Sequence, residues 1–147
     1  MIQFQEMIVD NCSMQLVKNP WDFDVMVMPN LYGSIVTSIA AGLTGGPGIT
    51  AGSYLGKNHK MFGQACRNSG IDIAGQNAAN PTAMLNSSIN LLNSMHLYRF
   101  ADLIQSALTN VYEEGKFLTA DVGGTSSTTQ FTKRVIQEIE FLDKRIA

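Results

Sequence analysis

Two histidines and two cysteines are the side chains from which a soft-metal or nucleophilic site would be built, and their spacing builds neither. His59 and His96 are too far apart to form the HxxxH pair that puts two imidazoles on one helical face, so each reads as a surface or cap residue. Cys12 and Cys66 stand alone with no CxxC, which argues against a structural zinc site and a disulfide scaffold and fits a reducing compartment. Asp10 lies in a segment of helical periodicity and, on that ground alone, reads as a surface carboxylate. Asn68 and Ser69 have turn-forming side chains, and Asn80 before Pro81 is a good helix cap. The signatures GxGxxG, GxxxxGK[ST] and GxSxG do not occur, so a standard dinucleotide fold, a P-loop enzyme and an α/β-hydrolase lack their anchors. Gly45-Gly46-Pro47-Gly48 reads only as a turn, and the sequons at Asn11 and Asn86 read as chance, since the first residues do not resemble a signal peptide.

The elements that would carry these residues follow from composition and periodicity. At 147 residues, with 45% apolar and 15% charged side chains, the chain is one domain's worth of sequence and can bury a core. A net charge of -2 and scattered basic residues give no attraction for nucleic acid or anionic lipid. The longest apolar run, near residues 35–43, is interrupted by Thr37, Ser38 and Gly42 and falls short of the ~20 residues of a membrane span. Three helices are predicted in the second half. The first, after Asn80-Pro81, has Met84, Leu85, Ser88, Ile89, Leu91, Leu92 and Met95 on its apolar side. The second, after a break at His96, carries Leu97, Phe100, Ala101, Ile104, Ala107, Leu108 and Val111 and stops at Gly115. The third runs from about Thr128 with Phe131, Val135, Ile139, Leu142 and Ile146. In the first half, residues 7–17 predict a helix, 24–28 a short strand, and 31–43 a helix with Leu31, Ile35, Ile39, Ala40 and Leu43 facing inward. Residues 49–55 and 60–65 predict two further strands. The class is α/β, helix-rich, with an incomplete sheet, as in part of something larger.

Six motifs in one order then carry a specific likeness. They are Val9-Asp10-Asn11-Cys12-Ser13-Met14-Gln15-Leu16-Val17, Phe23-Asp24-Val25-Met26-Val27-Met28-Pro29-Asn30-Leu31-Tyr32-Gly33, Ala41-Gly42-Leu43, Ile73-Ala74-Gly75, Ala79-Asn80-Pro81-Thr82-Ala83 and Asp121-Val122-Gly123-Gly124. Together they resemble the isocitrate and isopropylmalate dehydrogenase family of β-decarboxylating dehydrogenases. Within it the likeness is to the β and γ, regulatory, subunits of the mitochondrial NAD-dependent isocitrate dehydrogenase of the tricarboxylic acid cycle. Only the C-terminal portion of the family's two-domain fold is covered. Residues 1–44 would end its smaller, dimer-forming domain, and 45–147 would be the returning half of the large nucleotide-binding domain. The family's substrate-clamping arginines and its catalytic tyrosine and lysine belong to the part not covered, and Met1 would be an internal start, a truncation or an incomplete gene model.

The resemblance implies magnesium or manganese, an adenine nucleotide (ADP or NAD), isocitrate or citrate, a catalytic subunit as partner, and the mitochondrial matrix. In catalytic members two aspartates four residues apart follow the Asn-Leu-Tyr-Gly turn and face one way to hold the ion. Here those positions are Ser34 and Ser38, neutral hydroxyls, whereas Asp10 keeps the position that completes a metal site across a subunit boundary. The nucleotide loop reads Cys66-Arg67-Asn68-Ser69-Gly70-Ile71-Asp72, without the catalytic members' histidine and one residue longer. Its likeness to the γ type makes Asn68, Ser69 and Asn80 candidate nucleotide contacts, the amides suiting an adenine edge with a donor and an acceptor. No catalytic residue is implied in this chain. The reading is a regulatory subunit fragment, against a truncated catalytic dehydrogenase or a non-functional remnant whose apolar faces lack cover.

Overall fold

The computed structural model describes residues 2–146, which leaves Met1 and Ala147 outside the described residues, together with the side chain of Ile146. Helix α1 (Val9–Lys18) and helix α2 (Asn30–Thr44) pack on one another in the first third of the chain. Cys12 and Leu16 on α1 meet Val36 on α2, with Phe23, Met28, Ile39 and Ala40 around them. The inward face of α2 is therefore only partly the predicted one, since Ile39 and Ala40 pack against this core as expected. Leu31, Ile35 and Leu43 are exposed, while Val36 and Ala41 are buried. A helix with apolar residues on both sides has no unique face, and the partner α1 chooses one. Residues 24–28 form no strand either: Val25 and Val27 lie open to solvent, and no strand among the described residues pairs with them.

Gly45 and Gly46, at φ of 124° and 95°, turn the chain out of α2 in a conformation that a side chain would strain. A hairpin follows, β1 (Ala51–Leu55) antiparallel to β2 (Lys60–Gln64), with Ala51 opposite Gln64 and Leu55 opposite Lys60. It is the only sheet among the described residues. Helices α3 (Thr82–Ser94), α4 (Tyr98–Glu114) and α5 (Thr128–Ile146) complete the chain, α3 lying against both the hairpin and α4, and α4 against α5. The break between α3 and α4 falls at His96, at φ 61°, and α4 ends at Gly115, at φ 68°. The main core joins Ile89 of α3, Ala101, Ala107, Leu108 and Val111 of α4, and Phe131 and Val135 of α5, with Leu85, Leu92, Ile104, Ile139 and Leu142 packed around it. From the predicted stripes, Met84, Leu91, Met95, Leu97 and Phe100 are exposed. Both histidines lie at the surface, and Cys12 and Cys66 are free. No helix among the described residues is long and apolar enough to cross a membrane.

An ion network stitches α4 to α5. Arg134 donates from Nε to Glu114 and from Nη2 to Glu138, both at 2.8 Å, and Asn110 donates to the other oxygen of Glu138 at 2.9 Å. The hydrogen bond from Asn110, then that from Arg134, holds the Glu138 carboxyl below its usual range, and Arg134 does the same for Glu114. A depressed carboxyl pKa stabilises the fold above the unfolded value of 4.5 and loses that contribution as pH falls through the folded value. Denaturation followed below about pH 4.5 is expected to show this loss, and Glu138→Gln to show less of it. Equal acid sensitivity in that variant would remove the network from the account.

Candidate functional site

The polar side chains that converge most closely lie where the turn after α2, the start of α3, the end of α4 and the chain before α5 meet. Asn80 is at the centre. Its Oδ1 accepts from the Thr82 backbone N–H at 3.0 Å, so it caps α3 as its sequence position predicts, with Pro81 already in helical conformation. Its Nδ2 donates to Asp121 Oδ2 at 3.1 Å and to the Tyr112 hydroxyl at 3.3 Å. The Tyr112 hydroxyl lies 2.8 Å from Thr82 Oγ1, and buried Thr119 donates to the second oxygen of Asp121. Gly48 closes the arrangement from the turn: a Cβ there would fall 2.5 Å from Asp121 Oδ2 and 3.0 Å from Asn80 Cβ, a space only glycine fits. The Ala83 N–H to Gly48 carbonyl bond at 2.7 Å and Gln64 Nε2 to Pro47 carbonyl bond at 2.9 Å fasten that turn to α3 and to the hairpin.

Asn68 and Ser69 stand apart from this centre. Both are exposed, Asn68 Oδ1 accepting from the Gly70 N–H at 3.2 Å in a local turn, as the residue types predict. No hydrogen bond joins either side chain to Asn80 among the described residues. The far end of the same loop is fixed to α5: Asn77, at φ 55°, accepts from both the N–H and the hydroxyl of Thr129, and its carbonyl accepts from the Thr128 N–H. Sequence reasoning singled out Asn80 but not Asp121, Tyr112, Thr82 or Thr119 as its partners. Asp121 lay in a motif already noted, but the sequence separation from Asn80 hid the pairing.

Asp10 and the two serines occupy outward positions. Cys12 and Leu16 mark the side of α1 turned to α2, and Asp10, two residues from Cys12, is about 200° round the helix from it. Among the described residues its carboxylate accepts only from the adjacent Asn11 N–H, at 2.6 Å. Ser34 and Ser38 are each two residues from buried Val36 and are exposed, Ser38 donating back to the Ser34 carbonyl at 2.9 Å. Two neutral hydroxyls on one helix and one carboxylate on another, all on faces turned away from the α1–α2 contact, do not fit a magnesium site made within one chain. No cluster of three or more His, Cys, Asp and Glu among the described residues supplies an alternative.

Comparison with known proteins matches this architecture. The model of the family described as isocitrate/isopropylmalate dehydrogenase matches residues 1–139. The chain is 46% identical over 138 residues to the mitochondrial NAD isocitrate dehydrogenase catalytic subunit 5 of Arabidopsis thaliana, aligning 94% of this chain with 37% of that one. It is 47% identical over 135 residues to the mitochondrial NAD isocitrate dehydrogenase β subunit of Bos taurus, aligning 92% of this chain with 35% of that one. The crystal structure of isocitrate dehydrogenase from Methylococcus capsulatus superposes with a TM-score of 0.87 at 36% identity, over 94% of this chain and 41% of that chain. The chain thus spans less than two fifths of the curated relatives it matches. Because sequence and fold agree over nearly all of these residues, the chain belongs to the isocitrate/isopropylmalate dehydrogenase family.

Proposed function

We propose that this chain is a regulatory-type, non-catalytic subunit portion of a hetero-oligomeric NAD-dependent isocitrate dehydrogenase of the mitochondrial matrix, the enzyme that oxidatively decarboxylates isocitrate to 2-oxoglutarate. The observation that carries this reading is the pair Ser34 and Ser38 on an exposed face of α2, with Ser38 bonded back to its own helix, while Asp10 remains free to meet a neighbour. Hydroxyls bring no charge to a hard divalent cation, so the metal-holding function passes to a partner that still has its carboxylates. Asp10 then supplies one anionic oxygen across the subunit boundary to a shared magnesium or manganese ion. Residues 1–44 form the end of the dimer-forming domain in this reading, and 45–147 the returning half of the nucleotide domain. Asn68, Ser69 and Asn80 contact an adenine nucleotide, ADP or NAD, whose occupancy is coupled to the partner's site for isocitrate or citrate.

Mixing the chain with the catalytic subunit and following isocitrate-dependent NAD reduction is expected to show activation that depends on ADP. A chain that reduces NAD without a partner would replace this reading with a catalytic one. A chain that changes nothing with or without ADP would discard the regulatory role.

A further inference from the structure

The hydrogen bonds around Asn80 leave its amide only one orientation. Asp121, as a carboxylate, can only accept, so the atom facing it must be the Asn80 nitrogen. The Thr82 N–H can only donate, so the atom facing it must be the oxygen. A carboxamide has two N–H bonds and two oxygen lone pairs. Asp121 and Tyr112 take both N–H bonds, and the Thr82 N–H takes one lone pair. One acceptor site on Oδ1 is left over, and no donor. The setting is anchored: Thr82 and Thr119 are buried, and Thr119 holds the opposite oxygen of Asp121, so the carboxylate is aimed before any ligand arrives.

We infer that Asp121 is a positioning residue that fixes Asn80 as a pure acceptor, so that the site selects a nucleobase carrying an exocyclic amine. The inference rests on the reading of Asn80 as a nucleotide contact and adds to it the reason for adenine specificity. An amine at C6 donates to the free lone pair, whereas a base lacking it leaves that oxygen without a partner once water is displaced. With Asp121 truncated, the Thr82 N–H still holds Oδ1, but the Asn80 nitrogen regains a free N–H that can donate to a ring nitrogen of either base, so the discrimination weakens. Asparagine at 121 can still accept from Asn80 through its own oxygen and donate to Thr119 Oγ1, so it preserves the orientation without the charge.

The test compares ADP with purine riboside diphosphate, identical except for hydrogen at C6, by calorimetric titration of the protein alone and with the catalytic subunit. The wild type is expected to prefer ADP by about tenfold or more, the scale of one unmade buried hydrogen bond. Asp121→Ala is expected to bring that ratio down to about twofold with the thermal transition retained, and Asp121→Asn to restore it. A wild-type ratio in Asp121→Ala, or failure of Asp121→Asn to rescue, would overturn the positioning role while leaving the nucleotide contact standing. No ADP binding by the wild type in either form would overturn the nucleotide reading and this inference with it.

Discussion

Phe131→Ala is expected to cost about 3–5 kcal/mol of folding stability, the range for removing a fully enclosed aromatic ring from a core. Phe131 has no exposed surface and sits on α5 where the buried residues of α4 and α3 converge. Its ring meets that of Tyr112 edge-on, with centroids 5.8 Å apart, so the loss includes an aromatic contact as well as a cavity. Domains hold about 5–15 kcal/mol in total, which places the variant near the limit of remaining folded. In urea titration the midpoint should fall with little change in slope, and Phe131→Leu should recover most of the loss. The same ring backs the tyrosine whose hydroxyl touches Asn80 and Thr82, so the alanine variant is also expected to weaken nucleotide binding. A loss below about 1 kcal/mol would mean that the three helices do not share one core.

The parts of this fold legible in the sequence are those whose signal is local. Helices α4 and α5 announce themselves because their apolar residues recur every three or four positions between clear stops, Gly115 for one and the turn before Thr128 for the other. The hairpin and the cap at Asn80 are local in the same sense. Residues 24–28 failed as a strand because a strand is defined by the neighbour it pairs with, and alternating Val and Met cannot supply one. The inward face of α2 is legible only at Ile39 and Ala40, because Leu31, Ile35 and Leu43 are as apolar as Val36 and Ala41, and only the position of Cys12 and Leu16 decides between them. The site divides along the same line. Asn80 was visible as a cap, but its bonds to Tyr112 and Asp121 join positions 32 and 41 residues further on. No spacing rule reaches that far, so the orientation of the amide, which gives the site its chemistry, appears only in three dimensions.

Asp10→Asn separates the functional reading from the ordinary one most sharply, because the two readings predict opposite results from the same substitution. As a surface carboxylate in the first turn of α1, Asp10 interacts with the helix dipole and with the adjacent N–H alone, and losing its charge should change stability by less than about 1 kcal/mol. The same loss removes the negative charge it would bring to a divalent cation, since an amide oxygen is a neutral ligand of similar shape. In a complex with the catalytic subunit, the magnesium or manganese concentration for half-maximal activity is therefore expected to rise about tenfold or more, while the thermal transition of the chain stays in place. The effect should follow charge rather than size: Asp10→Glu should retain part of the activation, and Asp10→Ala should match Asp10→Asn. Ser38→Asp makes the complementary comparison, since it restores one carboxylate to the exposed face of α2 and breaks the bond back to the Ser34 carbonyl. If the Asp10→Asn complex keeps the wild-type metal requirement, Asp10 is a solvated side chain, and the proposed regulation would have to run through residues 66–72 alone.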